Sequence, residues 1–309
     1  MNDDLAIEPG NYYMDVREFH DGSCEVLLKS IKPMHEHVIL STADPDSYYN
    51  TLKAEGISYN SLHGNGLRRV LKDDKEVISE IRKQENHERA VRRAKQNIRF
   101  LVKEMGADRL LTLTYRQNEQ NREKVKEDFK RFLRFVKKGW KGQGGQPEWK
   151  YVAVLEKQDR GAFHIHVAIR GWQRIKFLRA AWYKAIGGSA DDSNEKTLGQ
   201  VDLTSPRKSR WGTGLRDWRS SKLAAYLSKY LLKTFEETDS EKRRYWHGKD
   251  VVQPVKRRFV LNAKSFVNAI CEMASIIELN YGHRINFRWS WQSSLGDCLW
   301  LAVGENNDG

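Results

Sequence analysis

The chain has 309 residues, of which 54 are Lys or Arg and 41 are Asp or Glu, leaving a formal net charge of +13. That length is ample for a real core, so size raises no objection to an enzyme, and the basic balance favours a polyanion over an acidic small molecule as partner. Three cysteines (Cys24, Cys271, Cys298) without CxxC spacing suit a reducing compartment, the first ten residues "MNDDLAIEPG" do not resemble a signal peptide, and no apolar run approaches the ~20 residues of a membrane span. A cytoplasmic protein without a membrane partner is the expectation.

Residues 1 to about 70 carry turn signals, "ADPDS" and "HGNG", but no strong period, and read as a lead-in of unassigned structure. From about 76 to 105 the spacing of Val91, Ala94, Ile98, Leu101 and Met105 predicts an amphipathic helix. On it Arg92, Lys95, Arg99 and Lys103 form a basic stripe, which is either an ordinary solvated face or a set of phosphate contacts. "DRLLTLTY" sets Leu111, Leu113 and Tyr115 against Thr112 and Thr114, the alternation of a central strand. A second basic helix follows over about 121–138 with Val125, Phe129, Phe132 and Val136 inward. The Gly-rich "GWKGQGGQPEW" is a loop and cannot be a P-loop, because no Gly-Lys-Ser/Thr opens a helix there.

Two strands come next, "KYVAVLE" and "AFHIHVAI", joined around Asp159-Arg160-Gly161. A short helix near 174–186, a polar loop, a strand at "QVDLT" and a helix starting at Ser220 or Ser221 complete the middle of the chain. The tail reads as a strand at "RRYWH", a helix over about 263–279 and a final hairpin of "INFRWSW" with "CLWLAV". This mixed order predicts an α+β fold, a sheet with helices packed on one face. The predicted organisation is an accessory region over 1–75, a catalytic core over 76–250 and a second accessory region over 251–309.

Two clusters carry chemistry. In "AFHIHVAI" the strand period places His164, His166 and Ala168 on one face and Phe163, Ile165, Val167 and Ile169 on the other. A His-x-His pair is either structural or a pair of ligands. With a turn centred on Arg160, Glu156 falls opposite His164, and one carboxylate and two imidazoles converge; a one-residue slip would turn Glu156 away. Such a set suits a divalent ion that also holds substrate oxygens, Mg²⁺ or Mn²⁺. In "SSKLAAYLSKYLLK" Tyr226 and Tyr230 are four apart on one helix face, with Lys222, Lys229 and Lys233 in the same arc and Leu223, Leu227 and Leu231 beside them. A tyrosine pair at that spacing is commonly packing, but a core face would not take three lysines. A cationic setting lowers a phenol pKa and gathers phosphate, as a tyrosine nucleophile requires.

In this order "LLTLT", "VLEKQDRGAFHIHV", "AYLSKYLLK" and "RRYWHG" resemble the rolling-circle replication initiators of the HUH endonuclease superfamily, and the YxxxY spacing looks most like the two-tyrosine initiators of small single-stranded-DNA bacteriophages and plasmids. The resemblance covers roughly 88–250. It implies a five-stranded antiparallel sheet carrying a metal site of His164, His166 and Glu156, with the tyrosine helix across it and N- and C-terminal additions. By the same resemblance Tyr226, Tyr230 and Lys229 are catalytic, and Arg92, Lys95, Arg99, Lys103, Lys222 and Lys233 contact DNA. The implied activity is nicking and joining of single-stranded or hairpin origin DNA through a 5′-phosphotyrosine, with a host helicase and DNA polymerase as partners. Three other readings remain: a two-tyrosine transposase of the same superfamily, a mononuclear iron oxygenase with the same ligand types, and a DNA-binding protein without enzymatic activity.

Overall fold

The computed structural model describes residues 11–31, 75–140, 143–171, 173–188, 198–204, 220–236, 245–285, 290–292 and 298–304, with the backbone alone described at 75–85, 140, 143, 231–236 and 290–292. The side chains of Leu231 and Lys233, and most of the polar loop before "QVDLT", therefore lie outside the described residues. In chain order the elements are β1 (Tyr12–Glu18), β2 (Cys24–Ser30), α1 (Lys75–Glu104), β3 (Arg109–Tyr115), α2 (Arg122–Lys138), β4 (Gly139–Trp140), β5 (Gln143–Gly144), β6 (Tyr151–Lys157) and β7 (Phe163–Ile169). They continue with α3 (Ile175–Ala185), β8 (Gly199–Thr204), α4 (Ser220–Glu236), β9 (Tyr245–His247), β10 (Val255–Leu261), α5 (Phe266–Tyr281), β11 (Ser290–Gln292) and β12 (Cys298–Val303). The fold is α+β, and it divides into two compact units, residues 90–254 and residues 1–89 with 255–309.

In the 90–254 unit an antiparallel sheet has the strand order β8-β3-β7-β6-β9, which puts the His-x-His strand in the middle. Its two faces differ in what covers them. Leu111, Leu113, Ala153, Leu155, Ile165, Val167 and Ile169 pack with Val125, Phe129, Phe132 and Val136 of α2 and Leu178, Ala181 and Trp182 of α3. Each large side chain fully buried here is worth about 1.5–3 kcal/mol. Helix α2 is held in register by Asn121, whose side chain accepts from the backbone N–H groups of Glu123 and Lys124 at 3.0 and 3.1 Å. The opposite face, with Leu110, Val152, Val154 and Ala168, packs against Ala94, Ile98, Leu101 and Met105 of α1 and Leu223, Ala224 and Leu227 of α4. Helices thus cover both faces, not one as the mixed element order suggested. The buried run through β6, from Tyr151 to Glu156, is the mark of a strand enclosed on both sides.

The other unit is a second five-stranded antiparallel sheet, in the order β10-β1-β2-β12-β11, built from the two ends of the chain. One face of it packs on α5 through Met14, Val26, Leu28, Leu301, Met273 and Ile277. Ser265 caps α5 by accepting from the Asn268 N–H at 3.2 Å, and Gly282, at φ 69°, takes the left-handed conformation that ends it.

Candidate metal and tyrosine site

The β6–β7 hairpin aligns the ligands. Its register pairs Glu156 with His164 and Val154 with His166, so all three polar side chains share the face that α1 and α4 cover. The turn Gln158-Asp159-Arg160-Gly161 closes with the Gly161 N–H donating to Gln158 O at 2.7 Å. Gly161, at φ +86°, has the Gln120 amide 3.0 Å from where a Cβ would stand, so glycine is required there.

Ligand atoms of Glu156, His164 and His166 all lie within 4.8 Å of one another. Glu156 and His166 are 7% and 5% exposed, and His166 Nε2 sits 2.7 Å from Glu156 Oε2. His166 Nδ1 is 3.3 Å from the Thr112 hydroxyl, and His164 Nδ1 is 3.1 Å from Gln158 Nε2. The Nε2 of His164 is buried without a hydrogen-bond partner. Burial pushes the His164 pKa below its ordinary value, with His166 and Arg160 adding to the effect against the opposing Glu156 carboxylate, and this keeps the imidazole neutral and able to donate a lone pair. A carboxylate, two imidazoles and an orphaned ring nitrogen among them fit a divalent cation. Asp159 is exposed in the turn and is not among these ligands.

Helix α4 brings the phenols to this cluster. Leu223 and Leu227 are fully buried against the sheet, and the Ser220 hydroxyl donates to Ala107 O at 3.0 Å at the start of the helix. The Tyr230 ring stacks on His166, with centroids 4.1 Å apart and planes at 17°. Tyr226 lies edge-on to His166 at 6.4 Å, and the two tyrosine rings meet at 4.8 Å. The Tyr230 hydroxyl donates a hydrogen bond to the Tyr226 hydroxyl. Burial raises the Tyr230 pKa, and its bond to Tyr226 and the Glu156 charge raise it further.

The lysines stand apart from the phenols. Lys222 and Lys229 are exposed while both tyrosines are half-buried toward the sheet. The basic stripe of α1 divides too: Arg92 is exposed, Lys95 and Arg99 are half-buried, and Lys103 is buried at 5%. Three residues that the motifs do not single out as functional touch the site: Thr112, Gln158 and, through Gln158, Arg160, whose Nε donates to Gln158 Oε1 at 3.0 Å. The strand period does place Thr112 on one face of β3, and its pairing with His166 makes that the histidine face.

A five-stranded antiparallel sheet with a carboxylate and a His-x-His strand on one face is consistent with the HUH-type fold. Residues 108–235 match the family model for the replication-associated protein ORF2, a span that runs from the start of β3 to the end of α4 and holds all three ligands and both tyrosines. That match supports a role in replication initiation, with the DNA binding it entails. No curated protein and no solved structure matches the chain.

Proposed function

We propose that the chain is a metal-dependent, site-specific single-stranded DNA endonuclease and strand transferase that initiates rolling-circle replication. One observation carries this reading: the helix bearing two phenols lies on the Glu156-His164-His166 cluster, with the Tyr230 ring 4.1 Å from that of His166. A divalent cation, Mg²⁺ or Mn²⁺, held by those three residues would polarise a non-bridging phosphate oxygen and neutralise the charge that develops on it.

The chain's own residues do the rest. The Tyr226 oxygen attacks the scissile phosphorus, a P–O bond forms to tyrosine and the P–O3′ bond breaks. The phenol gives up its proton and the departing 3′ oxygen takes one up, leaving a 5′-phosphotyrosyl bond and a 3′-hydroxyl that can prime synthesis. Tyr226 is assigned the first attack because it accepts the Tyr230 hydrogen bond, which stabilises the charged form of the oxygen that must attack. Lys229, three residues on, adds positive charge on the same helix. Tyr230 takes the second transfer, when the regenerated origin is cut with the first end still attached. The phosphoryl bond energy is conserved throughout, so no nucleotide cofactor is needed.

The test is a single-stranded origin oligonucleotide, labelled on the 3′ side of the nick, incubated with the full chain and Mn²⁺. Labelled DNA should migrate with protein on a denaturing gel, and only with the ion. Nicked DNA free of protein at the earliest times, or an adduct of equal yield in chelator, would overturn the proposal.

A further inference from the structure

The β6–β7 turn is fixed from outside. Asn118 donates to Arg160 O at 2.9 Å and Gln120 to the same oxygen at 3.5 Å, while the Phe163 N–H donates to Glu119 O at 2.9 Å. With the backbone held, two side chains of the turn remain to be explained. Gln158 Nε2 stands 3.1 Å from His164 Nδ1, and the other end of that amide, Oε1, accepts from Arg160 Nε at 3.0 Å. An amide nitrogen only donates, so His164 Nδ1 accepts, and a neutral imidazole that accepts at Nδ1 carries its proton on Nε2. That Nε2 is the buried ring nitrogen without a partner.

A ligand nitrogen must offer a lone pair instead. For His164 to bind a cation through Nε2, its proton must leave Nε2 and one must be taken up on Nδ1, which leaves the ring neutral but demands an acceptor at Nδ1. Turning the Gln158 amide over supplies that acceptor, Oε1. The same turn presents the NH₂ group to Arg160, two donors face each other, and the guanidinium must let go.

We infer that Gln158 is a positioning residue that selects the tautomer of His164, and that Arg160, by holding Gln158, opposes the cation until its arrival frees the guanidinium beside the site. The inference rests on the metal reading above. The freed Arg160 is exposed and becomes a second cation for the phosphate backbone that the ion engages.

The experiment measures Mn²⁺ affinity of the full chain by electron paramagnetic resonance, without DNA. Gln158→Leu removes the acceptor and should weaken Mn²⁺ by about 10- to 100-fold, while melting in chelator at the wild-type temperature. Gln158→Glu, whose carboxylate accepts from Nδ1–H, should keep the ion. Arg160→Ala should bind it at least as tightly as wild type. Ring ¹⁵N spectra should place the His164 proton on Nε2 in chelator and on Nδ1 in Mg²⁺. Wild-type affinity in Gln158→Leu, a loss in Arg160→Ala equal to that in Gln158→Leu, or an Nδ1 proton in both states would each overturn the inference while leaving the metal site standing. No Mn²⁺ binding by the wild-type chain would defeat the metal reading itself.

Discussion

One tyrosine hydroxyl gives a hydrogen bond and the other receives it, and that asymmetry separates two side chains that spacing alone treats as equivalent. Tyr226→Phe is expected to lower initial nicking of an origin oligonucleotide by roughly 10³-fold or more, since it removes the nucleophile itself. Tyr230→Phe should still nick but fail in repeated cleavage and joining, and the double variant should do neither. Equal first-turnover rates for the two single variants would reverse or abolish the order. The ligands are legible in the sequence because a strand has period two and the turn fixes register: Glu156 sits opposite His164 as a turn centred on Arg160 requires. Their supporting groups are less so. Thr112 precedes His166 by 54 residues, and no local pattern says that its hydroxyl will meet Nδ1 of that ring. Gln158 looks like an ordinary turn residue until the hairpin folds its amide back onto His164.

Among the elements, α1, α2, α3 and α4 follow from apolar spacing and caps, because their signals lie within a few residues of one another. The sheet of the other unit does not. No sequence signal announces strand β10: in "VKRRFVL" all but Phe259 and Leu261 are exposed, so the hydrophobic alternation is weak. Strand β1 pairs with it across more than 200 positions of sequence, Asp15 lying opposite Arg258. That pair is the electrostatic centre of the unit. Burial alone would raise the Asp15 pKa, but hydrogen bonds from Arg258, at 2.6 and 2.8 Å, and Lys256, at 2.8 Å, outweigh it and leave the carboxyl below its ordinary value. A depressed folded-state pKa contributes stability that is full above the unfolded value near 3.9 and disappears as pH falls through the folded value. Asp15→Asn should therefore cost about 1–3 kcal/mol at pH 7, and its melting curve should converge on wild type as pH drops below about 4. A gap of constant size down to pH 2 would show that the ion pairs contribute nothing to β1–β10 pairing. The expectation of helices on one face fails for a related reason: β6 is enclosed on both sides, and its covering helices, α1 and α4, come from before and well after it in the chain.

The excess of basic residues, +13 overall, is a property of the whole chain that the fold distributes unevenly. Among the described residues no helix is long and apolar enough to cross a membrane, and the replication-associated match directs the charge toward DNA. On α1, Arg92 is open to solvent and Lys103 is buried. Replacing Arg92 and Lys95 with Ala should reduce the slope of log affinity against log salt by about 0.7 for each single-strand phosphate that is no longer neutralised. Lys103→Ala should leave the slope unchanged, and fluorescence anisotropy over a range of NaCl concentrations measures both. A wild-type slope after the double replacement would assign the stripe to solvent. The central claim is covalent catalysis by a tyrosine over a Glu-His-His metal site, and peptide mass spectrometry of the protein after a single turnover on origin DNA tests it most directly. A nucleotide adduct on Tyr226 is the expected result; an adduct on neither Tyr226 nor Tyr230, under conditions where the strand is cut, would contradict it.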